Sequence, residues 1–228
     1  MSAPELTVAI PAYKEAANLR HILPRLAAAL AQVEHETLVV DTSSPQDDTR
    51  QVCADNGAGY INREGGDSYG DAVRSAIRHA RGKYLLFMDA DGSHRPEFVP
   101  QMLAARGERV VVAASRYVEG GGSENGAVSV LMSRTLNRVY CLALGIDCRD
   151  ISNSFKLYNA DALKKLKLEC ANFDIIEEML FKLARADKGL AVKELPYVFQ
   201  SRIEGRSKRN LLLFIFSYLR TLVKLRLS

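Results

Sequence analysis

The sequence predicts an α/β domain in which a mostly parallel central sheet carries helices on both faces. Three observations point there. Apolar runs of strand length alternate with longer segments of helical periodicity, the rhythm of βαβ units. The run Tyr84-Leu85-Leu86-Phe87-Met88 is apolar throughout, as for a strand inside a buried sheet, and passes straight into Asp89-Ala90-Asp91. The length, 228 residues, suits one large domain able to bury roughly 70% of its unfolded surface.

In chain order, residues 6–10 predict a strand and 15–32 a helix, then 37–40 a strand and 48–56 a helix. The pairs 59–61 with 69–81, and 83–88 with 96–105, repeat the pattern. A strand at 110–114 ends in Ser115-Arg116-Tyr117 and opens into the glycine cluster 119–126, expected as a mobile loop because nothing beyond it reads as an independent core. Residues 128–144 predict a helix, 151–158 a strand, 175–186 a helix and 190–199 a last strand. There is no internal repeat and no low-complexity segment.

Composition excludes several classes. Cys53, Cys141, Cys148 and Cys170 form no CxxC pair and have no partnering His spacing, which argues against zinc and against a disulfide framework. A reducing cytoplasm is the expected setting. No basic segment followed by an apolar h-region opens the sequence, and no run of about 18 apolar residues occurs, so neither secretion nor membrane spanning is expected. The net charge of +4 is unevenly placed, since Arg202, Arg206, Lys208, Arg209, Arg220, Lys224 and Arg226 crowd the C-terminal region against Glu204. No nucleic-acid partner is expected. Residues 211–226 are strongly apolar but broken by Arg220, Lys224 and Arg226, too short and too charged to span a bilayer. We therefore divide the chain into a domain at 1–209 and an amphipathic helix at 210–228 lying in a membrane interface; packing on the domain or on a second subunit is the alternative.

The candidate chemistry sits where strands end. Strand side chains alternate faces, so Asp89 and Asp91 are expected to point the same way at the rim of the sheet. Crevices at the carboxyl ends of parallel strands bind ligands, and two hard oxygen donors there suit Mg²⁺ or Mn²⁺ beside a phosphate, the outline of a nucleotide-sugar site. Asp-x-Asp also caps helices, so the pair alone leaves both readings open. The first predicted strand runs into Pro11-Ala12-Tyr13-Lys14-Glu15 and the second into Asp41, placing two more carboxylates where a ribose or a base edge can donate hydrogen bonds. The glycine fingerprint of a dinucleotide fold is missing after the first strand, and no P-loop replaces it.

Taken in order, Pro11-x-Tyr13-x-Glu15, Val39-Val40-Asp41, Asp89-Ala90-Asp91, Ser93-His94 and Pro96-Glu97 resemble a family 2 glycosyltransferase with the GT-A fold. More narrowly, Ser115-Arg116-Tyr117, the segment 150–158, Glu178-Met179-Leu180, Glu194-Leu195-Pro196 and Arg202-x-x-Gly205-x-Ser207-Lys208 are similar to the polyprenyl-phosphate sugar synthases, the dolichol-phosphate mannose synthase branch. The likeness covers nearly the whole chain. It implies a nucleotide site at Pro11, Tyr13, Glu15, Asp41, Asp89, Ala90 and Asp91, with Asp89 and Asp91 reaching the diphosphate through Mg²⁺ or Mn²⁺. Arg116, Arg134, Arg202, Ser207 and Lys208 would then line the acceptor phosphate, and Asp89, Asp91, Arg116, Arg202 and Lys208 would carry catalysis. Two departures stand out. Asp41 is followed by Thr42-Ser43-Ser44, where the family usually has a second acid and a glycine, and Ser93 stands where the mannose synthases often have glutamine.

The expectation is a metal-dependent inverting enzyme that moves a hexose, first mannose from GDP-mannose, onto a polyprenyl phosphate. It would be cytoplasmic, peripheral on the cytoplasmic face of a membrane. A second reading keeps the donor but sends the sugar to a hydroxyl of a polysaccharide or surface glycan, which needs a base from Asp174, Glu177 or Glu178. A third is an inactive nucleotide-binding module.

Overall fold

A computed structural model describes residues 3–124, 127–200, 221–223 and 225–226. The first half repeats strand and helix as expected: β1 (Leu6–Pro11), α1 (Ala16–Ala29), β2 (His35–Asp41), α2 (Thr49–Asp55), β3 (Gly59–Asn62), α3 (Tyr69–His79) and β4 (Tyr84–Phe87). A 3₁₀ turn at Pro96–Phe98 leads into α4 (Val99–Ala104) and then β5 (Val110–Ser115). The second half holds β6 (Gly122–Ser123), α5 (Ala127–Leu144), β7 (Lys156–Asn159), α6 (Ala160–Lys164), α7 (Ile175–Ala186), β8 (Ala191–Pro196) and β9 (Val198–Phe199).

Seven strands form one sheet in the order β3-β2-β1-β4-β7-β5-β8. All neighbours run parallel except β7, which is antiparallel to both β4 and β5. Every residue of β1 and β4 is buried, because helices cover both faces. Leu6, Val8 and Ile10 pack with Leu19, Ile22 and Leu26 of α1 and with Met102 of α4. Their neighbour Ala9 joins Leu85, Phe87, Val73 of α3, Tyr140 of α5 and Met179 of α7 on the opposite face. Each fully buried aliphatic side chain contributes about 1.5–3 kcal/mol, so this two-sided burial fixes the strand ends that build the site.

Several local expectations need correction. Strand β7 starts at Lys156, not 151, because side chains replace the ladder before it. Asn153 donates from Nδ2 to the Ala114 carbonyl at 2.6 Å and accepts the Phe155 N–H at 3.0 Å, while buried Lys156 donates to the carbonyls of Ile151 and Asn153. The expected strand 190–199 is divided at Tyr197 into β8 and β9, and β9 leaves the main sheet to pair in parallel with β6. Strand β6 lies within the glycine cluster expected as a mobile loop. Helix α6 is a single short turn system of five residues, which sequence periodicity did not reveal.

All four cysteines are free and buried. No described helix is long and apolar enough to cross a membrane. The expected interfacial helix at 210–228 lies largely outside the described residues. Of its described part, Thr221 and Leu225 are buried, Leu225 in the core face that holds Tyr140, and the Thr221 hydroxyl donates to Asp174 at 2.6 Å. Those residues pack on the domain.

Candidate active site

The acid pair lies beyond the strand, not on it. Strand β4 stops at Phe87 and the Met88 N–H makes the last bond to its neighbour, donating to the Ala9 carbonyl at 3.0 Å. Strand alternation therefore does not place Asp89 and Asp91; a turn does. Gly92 holds it at φ 82°, a left-handed conformation that glycine adopts without steric cost. The Asp91 Oδ1 accepts from the Ser93 N–H at 3.1 Å and from its hydroxyl at 2.6 Å. The Asp89 N–H donates to Nδ1 of His94 at 2.8 Å. From the β8–β9 junction, the Tyr197 hydroxyl donates to the Ser93 carbonyl at 2.9 Å and accepts the Arg95 N–H at 2.7 Å. Both carboxylates remain partly exposed at the rim.

The ends of β1, β2 and β3 form the adjoining wall. After Pro11 and Ala12 the chain turns through Lys14 at φ 58°, which leaves Tyr13 52% exposed and brings Glu15 to the start of α1. Glu15 Oε2 accepts from Asn18 Nδ2 at 2.7 Å. Asp41 is buried; its Oδ1 accepts the Thr42 N–H at 2.8 Å and its Oδ2 accepts the Tyr60 hydroxyl at 3.1 Å. Burial, and then the Asp41 charge, push the Tyr60 phenol up. Arg63 spans the wall, donating to the Ala12 carbonyl at 2.6 Å, while Ser43 is tied to Asp67 through both N–H and hydroxyl at 2.7 Å. Sequence reading missed Tyr60, Arg63 and Asp67, since nothing in their spacing distinguishes them from ordinary loop polarity.

Arg116 follows β5 on the other side of the acid pair. Its guanidinium lies 4.9 Å over the Tyr117 ring and 5.3 Å over Phe199, whose ring in turn meets the His94 edge at 4.9 Å. Phe199 thus links the arginine to the acid-pair loop. The guanidinium fork itself faces Asp150, with Nε donating to Oδ2 at 2.7 Å and Nη2 to Oδ1 at 2.6 Å. Glu194 supports this from β8 by accepting the Asp150 N–H at 3.0 Å. Arg134 is exposed on α5, whereas Arg202, Ser207 and Lys208 lie outside the described residues.

Two of the three acids considered as a base, Glu178 and Asp174, are engaged in structural bonds. Glu178 is buried, and its carboxylate accepts the N–H groups of Glu169 and Cys170 and the Lys182 ammonium. Asp174 accepts the Asn172 N–H and the Thr221 hydroxyl. Glu177 is buried within the core face of α7.

Asp89 and Asp91 fit a divalent cation of the hard, oxygen-seeking kind. No cluster of three or more His, Cys, Asp or Glu that could cage a metal exists among the described residues. Two partly exposed carboxylates suit Mg²⁺ or Mn²⁺ taking its other ligands from phosphate and water.

Among related proteins, the chain is 34% identical over 213 residues to an undecaprenyl-phosphate mannosyltransferase of Micrococcus luteus, covering 88% of this chain and 86% of that protein. It is 31% identical over 229 residues to a dolichol-phosphate mannosyltransferase of Pyrococcus furiosus, covering 97% of this chain but only 63% of that protein, less than two thirds of its length. The solved structure of glucosyl-3-phosphoglycerate synthase from Mycobacterium tuberculosis with Mn²⁺, UDP and glucosyl-3-phosphoglycerate matches with TM-score 0.73 at 19% identity, covering 99% of this chain and 79% of that one. The same synthase with Mn²⁺, UDP-glucose and phosphoglyceric acid gives TM-score 0.75 at 19% identity, with coverages of 98% and 80%. At that identity the likeness concerns the fold, and it bears out the GT-A architecture. The sequence pattern described as Glycosyl transferase family 2 matches residues 7–167, and the chain belongs to that family.

Proposed function

We propose that this chain is a metal-dependent inverting enzyme that transfers a hexose, first mannose from GDP-mannose, from a nucleotide sugar to a polyprenyl phosphate. The observation that carries the proposal is the run of contacts from the acid-pair loop at Asp89 through His94 and Phe199 to Arg116. The mannosyltransferases of Micrococcus and Pyrococcus support the acceptor class. In this reading Glu15 and Asp41 hold the nucleoside, with Pro11, Tyr13 and Ala90 lining its site. Asp89 and Asp91 hold Mg²⁺ or Mn²⁺, which when bound neutralises the diphosphate and stabilises its departure.

An ionised acceptor phosphate oxygen attacks the anomeric carbon, the bond to the diphosphate breaks, and the nucleoside diphosphate leaves with the electron pair. One displacement inverts the centre. A phosphate monoester has its second pKa near about 6, so no proton has to be removed at neutral pH. Arg116, with Arg134, Arg202, Ser207 and Lys208, offsets the acceptor charge and aligns it. The engagement of Asp174 and Glu178 in structural hydrogen bonds favours this acceptor over a hydroxyl, which needs a base. The chain would act peripherally on a membrane surface, on the cytoplasmic face, with residues 210–228 contributing to attachment.

The test incubates purified protein with Mg²⁺ or Mn²⁺, radiolabelled GDP-mannose or UDP-glucose, and undecaprenyl or dolichyl phosphate. Organic-phase label from GDP-mannose is the expected result. Label from UDP-glucose alone would reassign the donor, and label confined to water-soluble glycan would overturn the lipid acceptor.

A further inference from the structure

His94 is wholly buried, yet it stands against the acid pair. Its ring stacks on Phe155 at 4.4 Å and 9° and meets Phe199 edge-on at 4.9 Å, so it cannot turn without displacing both. The Asp89 N–H donates to its Nδ1 at 2.8 Å, so Nδ1 carries no proton and the neutral ring bears its hydrogen on Nε2. Nε2 has no hydrogen-bond partner among the described residues. Asp89 Oδ2 lies 3.9 Å from it.

A buried N–H without an acceptor is costly, so it has reason to find one. The ring is fixed, whereas the Asp89 side chain is 26% exposed and has room to move. An approach of about 1 Å by the carboxylate would make a charge-assisted hydrogen bond. We propose that His94 is a positioning residue for the cation site, its Nε2–H taking Asp89 Oδ2 as the carboxylate turns to hold a divalent cation. This rests on the proposed role of the acid pair and adds a residue to it. The same imidazole would then grip Asp89 twice, at the backbone through Nδ1 and at the carboxylate through Nε2. Partners of this kind behind a metal ligand typically contribute about 10–100-fold in metal affinity.

The experiment follows Mn²⁺ binding to the full chain by the loss of free-ion electron paramagnetic resonance signal, with GDP present, alongside GDP affinity without metal. His94→Gln keeps an N–H near the Nε2 position, and His94→Asn keeps only an acceptor near Nδ1. The expected result is a Mn²⁺ affinity about 10-fold weaker in His94→Asn, within about 3-fold of wild type in His94→Gln, and metal-free GDP affinity unchanged in both. Equal Mn²⁺ affinity in all three proteins, or an equal loss in both variants, overturns the inference while leaving the acid pair in place. A wild type that binds no Mn²⁺ overturns the reading of the acid pair and this inference with it. Should the variants not fold, long-range ¹H–¹⁵N spectra of wild-type His94 decide. A proton on Nε2 whose resonance moves downfield on adding Mg²⁺ and GDP supports the assignment; a proton on Nδ1, or no movement, overturns it.

Discussion

Arg116 and Asp150, 34 residues apart, form a two-pronged ion pair, with Nε to Oδ2 at 2.7 Å and Nη2 to Oδ1 at 2.6 Å, and the Arg116 N–H adds a third bond to Oδ2 at 3.0 Å. Asp150 is fully buried and the Arg116 side chain is only 15% exposed, so the pair fixes where the end of β5 presents its cation.

Removing the carboxylate should uncouple that presentation. Asp150→Asn leaves a nearly buried guanidinium facing an uncharged amide, and stability should fall by about 2–4 kcal/mol, read from the urea midpoint. Arg116→Lys keeps the charge but loses the planar fork. It should reduce transfer more than it reduces stability, with the larger effect on the acceptor KM. An unchanged KM would separate Arg116 from the proposed acceptor.

Acid sensitivity should come from the far end of the sheet and from the α3 cap. Burial alone would raise Glu36, but the Thr7 hydroxyl at 2.6 Å and the Arg81 N–H at 2.8 Å outweigh it and hold the carboxyl below its usual range. Burial would likewise raise Asp71, yet its capping-box bonds with Ser68 and its pair with Arg74 lower it. Groups depressed in the folded state contribute stability that is complete above their unfolded values and lost as pH falls through the folded ones. These two carboxyl groups should therefore add a decline of the urea midpoint below about pH 4. Glu36→Gln should lower it at pH 7 and flatten the acid decline.

Gly70 lies in the first turn of α3, where two segments nearly touch. Its N–H donates to the Ala171 carbonyl at 2.7 Å, and a Cβ would land on the Cys170 carbonyl oxygen and within 2.9 Å of the Ala171 Cα. Gly70→Ala should cost about 1–3 kcal/mol and lower Tm by several degrees, since backbone cannot yield as a side-chain tip can. A wild-type Tm would mean that the 170–171 segment moves aside freely.

Sequence carried the sheet because its strands are buried on both faces. The apolar runs of β1 and β4 and the period of α7, found at 175–186 as expected, state burial directly. Strand β7 was misplaced because Lys156 and Asn153 satisfy carbonyls and N–H groups that a ladder would otherwise pair, a choice that exists only once Ala114 is alongside. The site was legible in the same uneven way. Asp89, Asp91 and Arg116 announce themselves as charges after apolar strands. What holds them does not, since the Asp150 clamp, the His94 tautomer and the Tyr197 tether each join residues brought together only by the fold.

The proposal depends above all on Asp89 and Asp91 holding a divalent cation against a nucleoside diphosphate. Crystals grown with Mn²⁺ and GDP, measured at a wavelength where manganese scatters anomalously, test this directly. A single anomalous peak bonded to oxygens of Asp89 or Asp91 and of the diphosphate is the predicted result, lost in Asp91→Asn together with turnover by about 10³-fold while Tm holds. GDP bound in the cleft with no manganese at either carboxylate, or Asp91→Asn turning over at the wild-type rate, would contradict it.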